Sequence, residues 1–224
     1  MFKNTAKGDR TRALILETAL ELFRERGFEG TTMRAVGDRA GVSLGNAYYY
    51  FPSKEHLIQA FYRRTHLEHL KACSPLLNRE TRLDRRLLAV MRTKLATIAP
   101  YERIAGDLFR SAADPESPLN PFGPESAQVR EEAVDLFALA LDGSEARLPK
   151  DLRGELPTLL WFWEMGILLF WIHDRSPRRR RTELLMERTT TLVVRLISIM
   201  SLAIMRPVRG PLLRLIRDLR EEPA

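Results

Sequence analysis

The sequence predicts an all-α fold, with a small N-terminal three-helix unit followed by a larger helical body. Three observations predict it. Apolar residues recur three and four positions apart in nearly every segment. No stretch alternates β-branched and polar residues as a half-buried strand does. Helix punctuation also recurs in order, with Ser and Thr at starts and Gly and Pro at stops.

From Thr11 to Arg26, Ile15, Ala19, Leu22 and Phe23 share one face, while Glu17, Glu21, Arg24 and Glu25 take the other. Gly27 stops this helix and Phe28 folds back on its last turn. Thr32 then caps the short segment MRAVGDRA, which Gly41 ends. Ser43 caps a second very short helix, and Phe51-Pro52-Ser53 breaks it. Ser53 caps again, for a long helix from Lys54 to about Cys73. Further helices are expected over 81–98 and 101–111. The stretch ADPESPLNPFGPES, with Pro115, Pro118, Pro121 and Pro124, reads as an ordered non-helical connection. Helices resume over 126–141, 152–173, 181–205 and 211–220. The expected division is 1–53 for the three-helix unit and 54–224 for the body, with 54–73 as the linking helix.

The chain has 224 residues, 45% of them hydrophobic and 29% charged, with a formal net charge of +7 carried mostly by arginine. Arginine forks suit phosphate, so nucleic acid is the first partner to consider and an anionic membrane surface the second. Cys73 is the one cysteine, so no intrachain disulfide forms and nothing suggests an oxidising compartment. The polar start MFKNTAKGDRTR does not read as a secretory signal. The most apolar run, Leu159 to Ile172, is shorter than the ~20 residues of a membrane span and has Glu164 in its middle. The expectation is a cytoplasmic, nucleoid-associated protein with no membrane partner.

Gly41-Val42-Ser43-Leu44-Gly45 matches the G-x-S-x-G pattern of a hydrolase nucleophile elbow. That elbow needs a strand before the serine, and the preceding TTMRAVGDRA is helical. His56, His66, His69 and His173 lie in no triad pattern, so the chain is not expected to be an enzyme. Two short helices joined by a tight glycine turn and braced by a preceding amphipathic helix describe a helix-turn-helix instead. Ala40 is small where the helices approach, Gly41 turns the chain and Val42 plugs the space between. Leu44, Gly45, Asn46 and Tyr48 lie near the start of the second helix, where base edges would be. Asn46 suits adenine bidentately, and Gly45 lets the backbone approach the groove. Thr32 and Ser43 place hydroxyls and free N–H groups at helix N-termini, which attract phosphate. Tyr49, Tyr50 and Lys54 reach backbone oxygens, and Lys3, Lys7, Arg10 and Arg12 form a basic lead-in. One of Tyr48 and Tyr49 is expected to pack inward.

The stretch ILETALELFRERGFEGTTMRAVGDRAGVSLGNAYYYFPSKEHL, Ile15 to Leu57, closely resembles the DNA-binding domain of TetR-family transcriptional regulators. The shared marks are the LF..RGF..TT entry, AGVS.G..Y.YF, and SKE.L at the start of the next helix. The resemblance covers about the first quarter of the chain. It implies DNA contacts at Ser43, Gly45, Asn46, Tyr48, Tyr49, Tyr50 and Lys54, with Thr32 at the phosphate. Gly37 stands where the family usually has alanine, and Tyr50 where histidine is common. The resemblance also implies a C-terminal half that dimerises and encloses an effector pocket.

The body can be read for both tasks. In the helix 152–173, Leu159, Trp163, Gly166 and Phe170 lie on one face while other faces are apolar too, so the helix needs cover on all sides. The helix 181–205 adds Leu185, Leu192, Leu196, Ile199 and Met200 on one face. Leu159, Trp163, Phe170, Leu192, Leu196, Ile199 and Met200 are therefore the expected homodimer interface, a four-helix arrangement about a two-fold axis. Met91, Phe109, Phe137, Trp161, Glu164 and Met165 are the expected effector pocket. For Glu164 three states are open: an interhelical ion pair with an arginine, a ligand anchor, or partial exposure. His66, His69 and Cys73 share a helix stripe, but without a second cluster no metal site is expected, and no cofactor. The run Arg178 to Arg181 reads as a solvated loop.

The expected function is a ligand-responsive, DNA-binding transcriptional regulator, a repressor released from a palindromic operator by a small apolar or amphipathic effector. An architectural DNA-binding protein without an effector is the alternative. The specificity ratio between operator and random DNA separates the two.

Overall fold

The computed structural model describes residues 3–220, which form ten α-helices and no strand. They are α1 (Lys3–Arg26), α2 (Met33–Ala40), α3 (Leu44–Tyr50), α4 (Lys54–Leu77), α5 (Leu83–Ile98), α6 (Glu102–Ala112), α7 (Ala127–Asp142), α8 (Lys150–His173), α9 (Arg180–Met200) and α10 (Arg206–Arg220). Two compact units emerge. One comprises residues up to 67 together with 98–130, the other 68–97 together with 131 onward. This packing division differs from the functional cut at 53/54 read from the sequence: it falls within α4 and groups α6 and the proline-rich segment with the N-terminal helices.

In the first unit, Ile15, Ala19, Leu20 and Phe23 of α1 pack with Val36, Ala47, Phe51, Leu57 and Phe61. Ile104 and Leu108 of α6, with Leu119, complete that core. The proline-rich segment is ordered by its own side chains. Asp114 accepts from the Glu116 N–H (3.0 Å), Ser117 from Leu119 (3.2 Å) and Asn120 from Phe122 (2.9 Å). These local turns satisfy backbone that the prolines withhold from a helix. Gln59 Nε2 ties the segment to α4 by donating to the Pro118 carbonyl at 2.7 Å.

The second unit has its own core, which includes Leu87, Val90, Met91, Leu136, Phe137, Leu156, Leu160, Trp161, Ile167, Met186 and Leu213. Within it Arg86 is buried, yet its guanidinium is fully engaged. It donates to the carbonyls of Leu77, Glu80, Leu139 and Ala140. One cation thus satisfies the open C-terminal carbonyls of α4 and α7 together.

Several boundaries move. Helix α1 begins at Lys3, so the basic lead-in is helical rather than a separate arm. Residues 6, 7, 9 and 10 are exposed, and a polar, exposed turn carries no apolar period to betray it. Helix α4 continues through Pro75 to Leu77, and α10 starts at Arg206 with Pro211 inside it. Helix α9 stops at Met200, and the chain bends by 88° into α10. By length and composition α8 would cross a membrane; here it buries ten residues, Leu160, Trp161, Glu164 and Ile167 among them.

Candidate nucleic-acid interface and effector site

The helix-turn-helix follows from three local choices. The Thr32 hydroxyl accepts from the Ala35 N–H at 3.2 Å and starts α2. Gly41 adopts φ 67°, the left-handed conformation that ends α2 without a Cβ penalty. The Val42 N–H then donates to the Gly37 carbonyl at 3.0 Å. Ser43 accepts from the Asn46 N–H at 3.2 Å and opens α3. Gly37 is buried where the two helices meet: a Cβ there would stand 3.2 Å from the Val42 carbonyl oxygen and 3.8 Å from the Ala47 Cβ. The missing methyl permits this close approach of the two helices.

Only Ala47 of α3 is buried, so the helix leans on the core along one narrow line. Gly45 and Asn46 are exposed, Tyr48 is 47% exposed and Tyr49 is 81% exposed. The expectation that Tyr48 or Tyr49 packs inward is corrected. Ala47 and Phe51, four residues apart, take the inward line, and Tyr50 flanks it, partly buried. Tyr50 meets the Tyr49 ring edge-on at 5.2 Å between centroids, and its hydroxyl lies beside Gly8 of α1. Leu44 is half-buried against the core. Lys54 has a structural duty the sequence did not disclose: its ammonium donates to the Phe28 carbonyl at 2.9 Å and sits 4.5 Å from the Phe28 ring centroid. Lys7, Arg10, Arg12 and Arg34 stand exposed on the same unit. Arg34, on the first turn of α2, is a cation the sequence reading passed over.

In the second unit Met91, Phe137 and Trp161 are buried in one core, Met165 packs against it, and Glu164 is buried on the same helix as Trp161. Phe109 does not join them. It lies on α6 of the first unit, 38% exposed, one position past the buried Leu108 and so off the inward face. The arginine pair and the partial exposure considered for Glu164 are corrected: it is 1% exposed and has no arginine partner among the described residues. Its Oε1 has no hydrogen-bond partner among the described residues. Burial pushes its carboxyl above the usual range, and Lys94 opposes that. His69 Nε2 bonds the Val90 carbonyl at 2.9 Å. The described residues contain no group of three or more His, Cys, Asp and Glu suited to a metal ion.

Of the expected dimer residues, Phe170, Leu192, Leu196 and Ile199 are exposed, and Leu159, Trp163 and Met200 are half-buried. Phe162 and Leu169 on α8 and Leu184 on α9 extend this uncovered apolar surface. Trp163 donates its indole N–H to the Thr189 hydroxyl at 3.0 Å, joining α8 to α9. An open groove of about 940 Å³ sits at the α8–α9 turn, lined by Phe170, His173, Arg181, Leu184 and Glu187. None of these is among the expected effector residues.

Comparison with known proteins assigns this arrangement. The family model for bacterial regulatory proteins, tetR family, matches residues 15–61, and that for the tetracyclin repressor-like C-terminal domain matches 86–209. The HTH-type transcriptional regulator RutR of Escherichia coli K12 is 44% identical over 63 residues, 25% of this chain and 30% of RutR. The HTH-type transcriptional repressor KstR of Mycobacterium tuberculosis is 47% identical over 47 residues, 21% of each chain. The matches thus span less than a third of these relatives. Solved structures extend the likeness to the fold of the whole. A TetR-family regulator from Streptomyces coelicolor superposes with a TM-score of 0.64 at 22% identity, covering 96% of this chain and 90% of its own. FadR from Bacillus subtilis, solved with stearoyl-CoA, does so with a TM-score of 0.60 at 13% identity, covering 83% and 97%. With family models matching both its helix-turn-helix and more than half its length beyond, the chain belongs to the tetR family of bacterial transcriptional regulators, which are DNA-binding proteins and not enzymes.

Proposed function

We propose that the chain is a repressor that works as a homodimer at the nucleoid, in the cytoplasm. A small apolar or amphipathic effector releases it from a palindromic operator. The observation that carries this reading is the exposed start of α3. Gly45, Asn46, Tyr48 and Tyr49 stand in solvent, where packing gives no reason for them. Asn46 would read an adenine edge, Gly45 would admit the backbone, and Leu44 would meet a thymine methyl. Thr32, Ser43, Tyr49, Tyr50, Lys54 and Arg34 would hold phosphates and set the register. Two copies would read half-sites one helical turn, about 34–36 Å, or more apart.

The effector would bind in the second unit, among Met91, Phe137, Trp161, Glu164 and Met165, and act through α4, which contributes residues to both units. Such coupling is typically about 1–3 kcal/mol and reciprocal, so DNA must weaken effector binding equally. The FadR structure with stearoyl-CoA supports an amphipathic effector as compatible with this fold. Selection of bound genomic fragments by the purified protein tests the reading. One palindromic sequence should be enriched, and Asn46→Ala should lose that enrichment while still folding. Retention of random DNA as strongly as any selected fragment would favour an architectural role instead.

A further inference from the structure

Glu164 is a carboxylate that the folded chain does not use. It lies mid-way along α8, 1% exposed, one turn from Trp161 and Ile167, which belong to the core that holds Met91 and Phe137. Its Oε1 accepts no hydrogen bond from the described residues. Four other charged residues of the unit, by contrast, have named partners. Arg86 donates to four carbonyls, Glu155 accepts from Arg217, Asp174 accepts from Thr182 and Ser176, and Arg209 pairs with Asp151. Among the described residues Lys94 on α5 is the cation whose charge acts on Glu164, without an ion pair between them. Cys73 on α4 also lies within its field, as a thiol whose ionisation burial opposes.

An apolar side chain of similar volume would pack here without the desolvation penalty of an unpaired carboxylate. Stability therefore gives no account of Glu164, and a guest that supplies the missing donor does. Resting on the reading of this unit as the effector site, we infer that Glu164 is the effector's anchor and that the effector is an organic cation, with an apolar body carrying a protonated amine. Burial disfavours the charge on Glu164 and a bound cation restores it; the carboxylate then offers acceptors only, so the complementary head group is a charged donor. Trp161, one turn away, adds an aromatic ring, a surface that attracts cations. Met91 and Met165 are unbranched and adaptable, suited to repacking around the body. An anionic head group would meet Glu164 as a like charge, while Arg86 has its donors committed elsewhere.

Length-matched amines, alcohols and carboxylates test this on the full-length protein: nonylamine, nonanol and nonanoate, with 4-phenylbutylamine, 4-phenylbutanol and 4-phenylbutyrate as the aromatic set. In at least one set the amine should raise the thermal midpoint of wild type at about tenfold lower concentration than its alcohol or carboxylate. Glu164→Gln should bring amine and alcohol within about twofold of each other, and Glu164→Asp should keep the preference. The inference is overturned if no amine is preferred in either set, if a carboxylate matches its amine, or if Glu164→Gln keeps the tenfold preference. The wild-type comparison stands even if a variant does not fold. Operator capture is measured separately: an amine that binds selectively without releasing operator leaves the anchor standing and removes the regulatory reading.

Discussion

Single residues in this protein divide into those that build the recognition unit and those that the fold leaves free, and substitution can separate them. Gly41 has open space where a Cβ would go, so Gly41→Ala pays only for its left-handed φ. It should lower stability by about 1 kcal/mol, a shift of a few degrees in the thermal midpoint. Ser43→Ala should cost about 1 kcal/mol through the lost cap and also weaken DNA binding. Asn46→Ala, at an exposed position, should leave the midpoint unchanged and cost about 1–3 kcal/mol of operator discrimination. If Asn46→Ala unfolds the protein while DNA selectivity survives, the assignment of duties on α3 is wrong. Arg86 is the converse case, wholly structural. A Cβ at Gly143 would overlap its guanidinium, so Gly143→Ala displaces the clamp and Arg86→Met removes it. Either should lower the urea midpoint, the latter by about 3 kcal/mol or more in stability.

At the scale of the element, the α8–α9 turn is held by one carboxylate. Asp174 accepts from the Thr182 N–H at 2.9 Å, the Thr182 hydroxyl at 2.7 Å and the Ser176 N–H at 2.8 Å. These bonds hold its carboxyl well below the usual range, against the opposing effect of burial. A depressed carboxyl contributes stability that is present in full above its unfolded value, about 3.9, and lost as pH falls below it. Asp174→Asn should therefore unfold at lower urea than wild type at pH 7, and the gap should narrow below about pH 4. A gap independent of pH would mean that shape rather than charge holds the turn. Most of the helices were legible because one face is solvated and another apolar, as with Ile15, Ala19 and Phe23 of α1, and α8 because it is apolar nearly all round. The short pair was legible through its caps, Thr32 and Ser43. What sequence hid was direction and long-range partnership. Phe109 shares the apolar spacing of α6 yet falls one position off the face set by Ile104 and Leu108. Tyr48 and Tyr49 were candidates for the core until Ala47 and Phe51 were seen to occupy it. Arg86 looks like any surface arginine until carbonyls from two other helices converge on it. Glu164 stood out because charge inside an apolar run is anomalous from sequence alone; that its Oε1 lacks a partner is a fact only of the folded chain.

For the whole molecule, the uncovered apolar surface of α8 and α9 carries the argument. Phe162, Leu169 and Phe170 on α8, with Leu184, Leu192, Leu196 and Ile199 on α9, leave large side chains in water. Surfaces of this kind on a soluble chain mark an interface, and a two-fold pairing of the same surface is the commonest way to close one. The net charge of +7 favours approach to DNA without choosing a sequence, and on the proposed function selectivity comes from two recognition helices acting together. Leu192→Glu with Leu196→Glu places two carboxylates where the copies would meet and touches nothing in either core, since both side chains are exposed. Wild type should sediment as a dimer with a thermal midpoint that rises with protein concentration; the double variant should sediment as a monomer with a midpoint that does not. Its operator affinity should fall by about 100-fold or more, because each half-site then binds without the avidity of the second, while its affinity for random DNA changes little. A double variant that remains dimeric places the interface elsewhere on the chain. A monomer that keeps full operator affinity removes the need for two half-sites, and with it the palindrome.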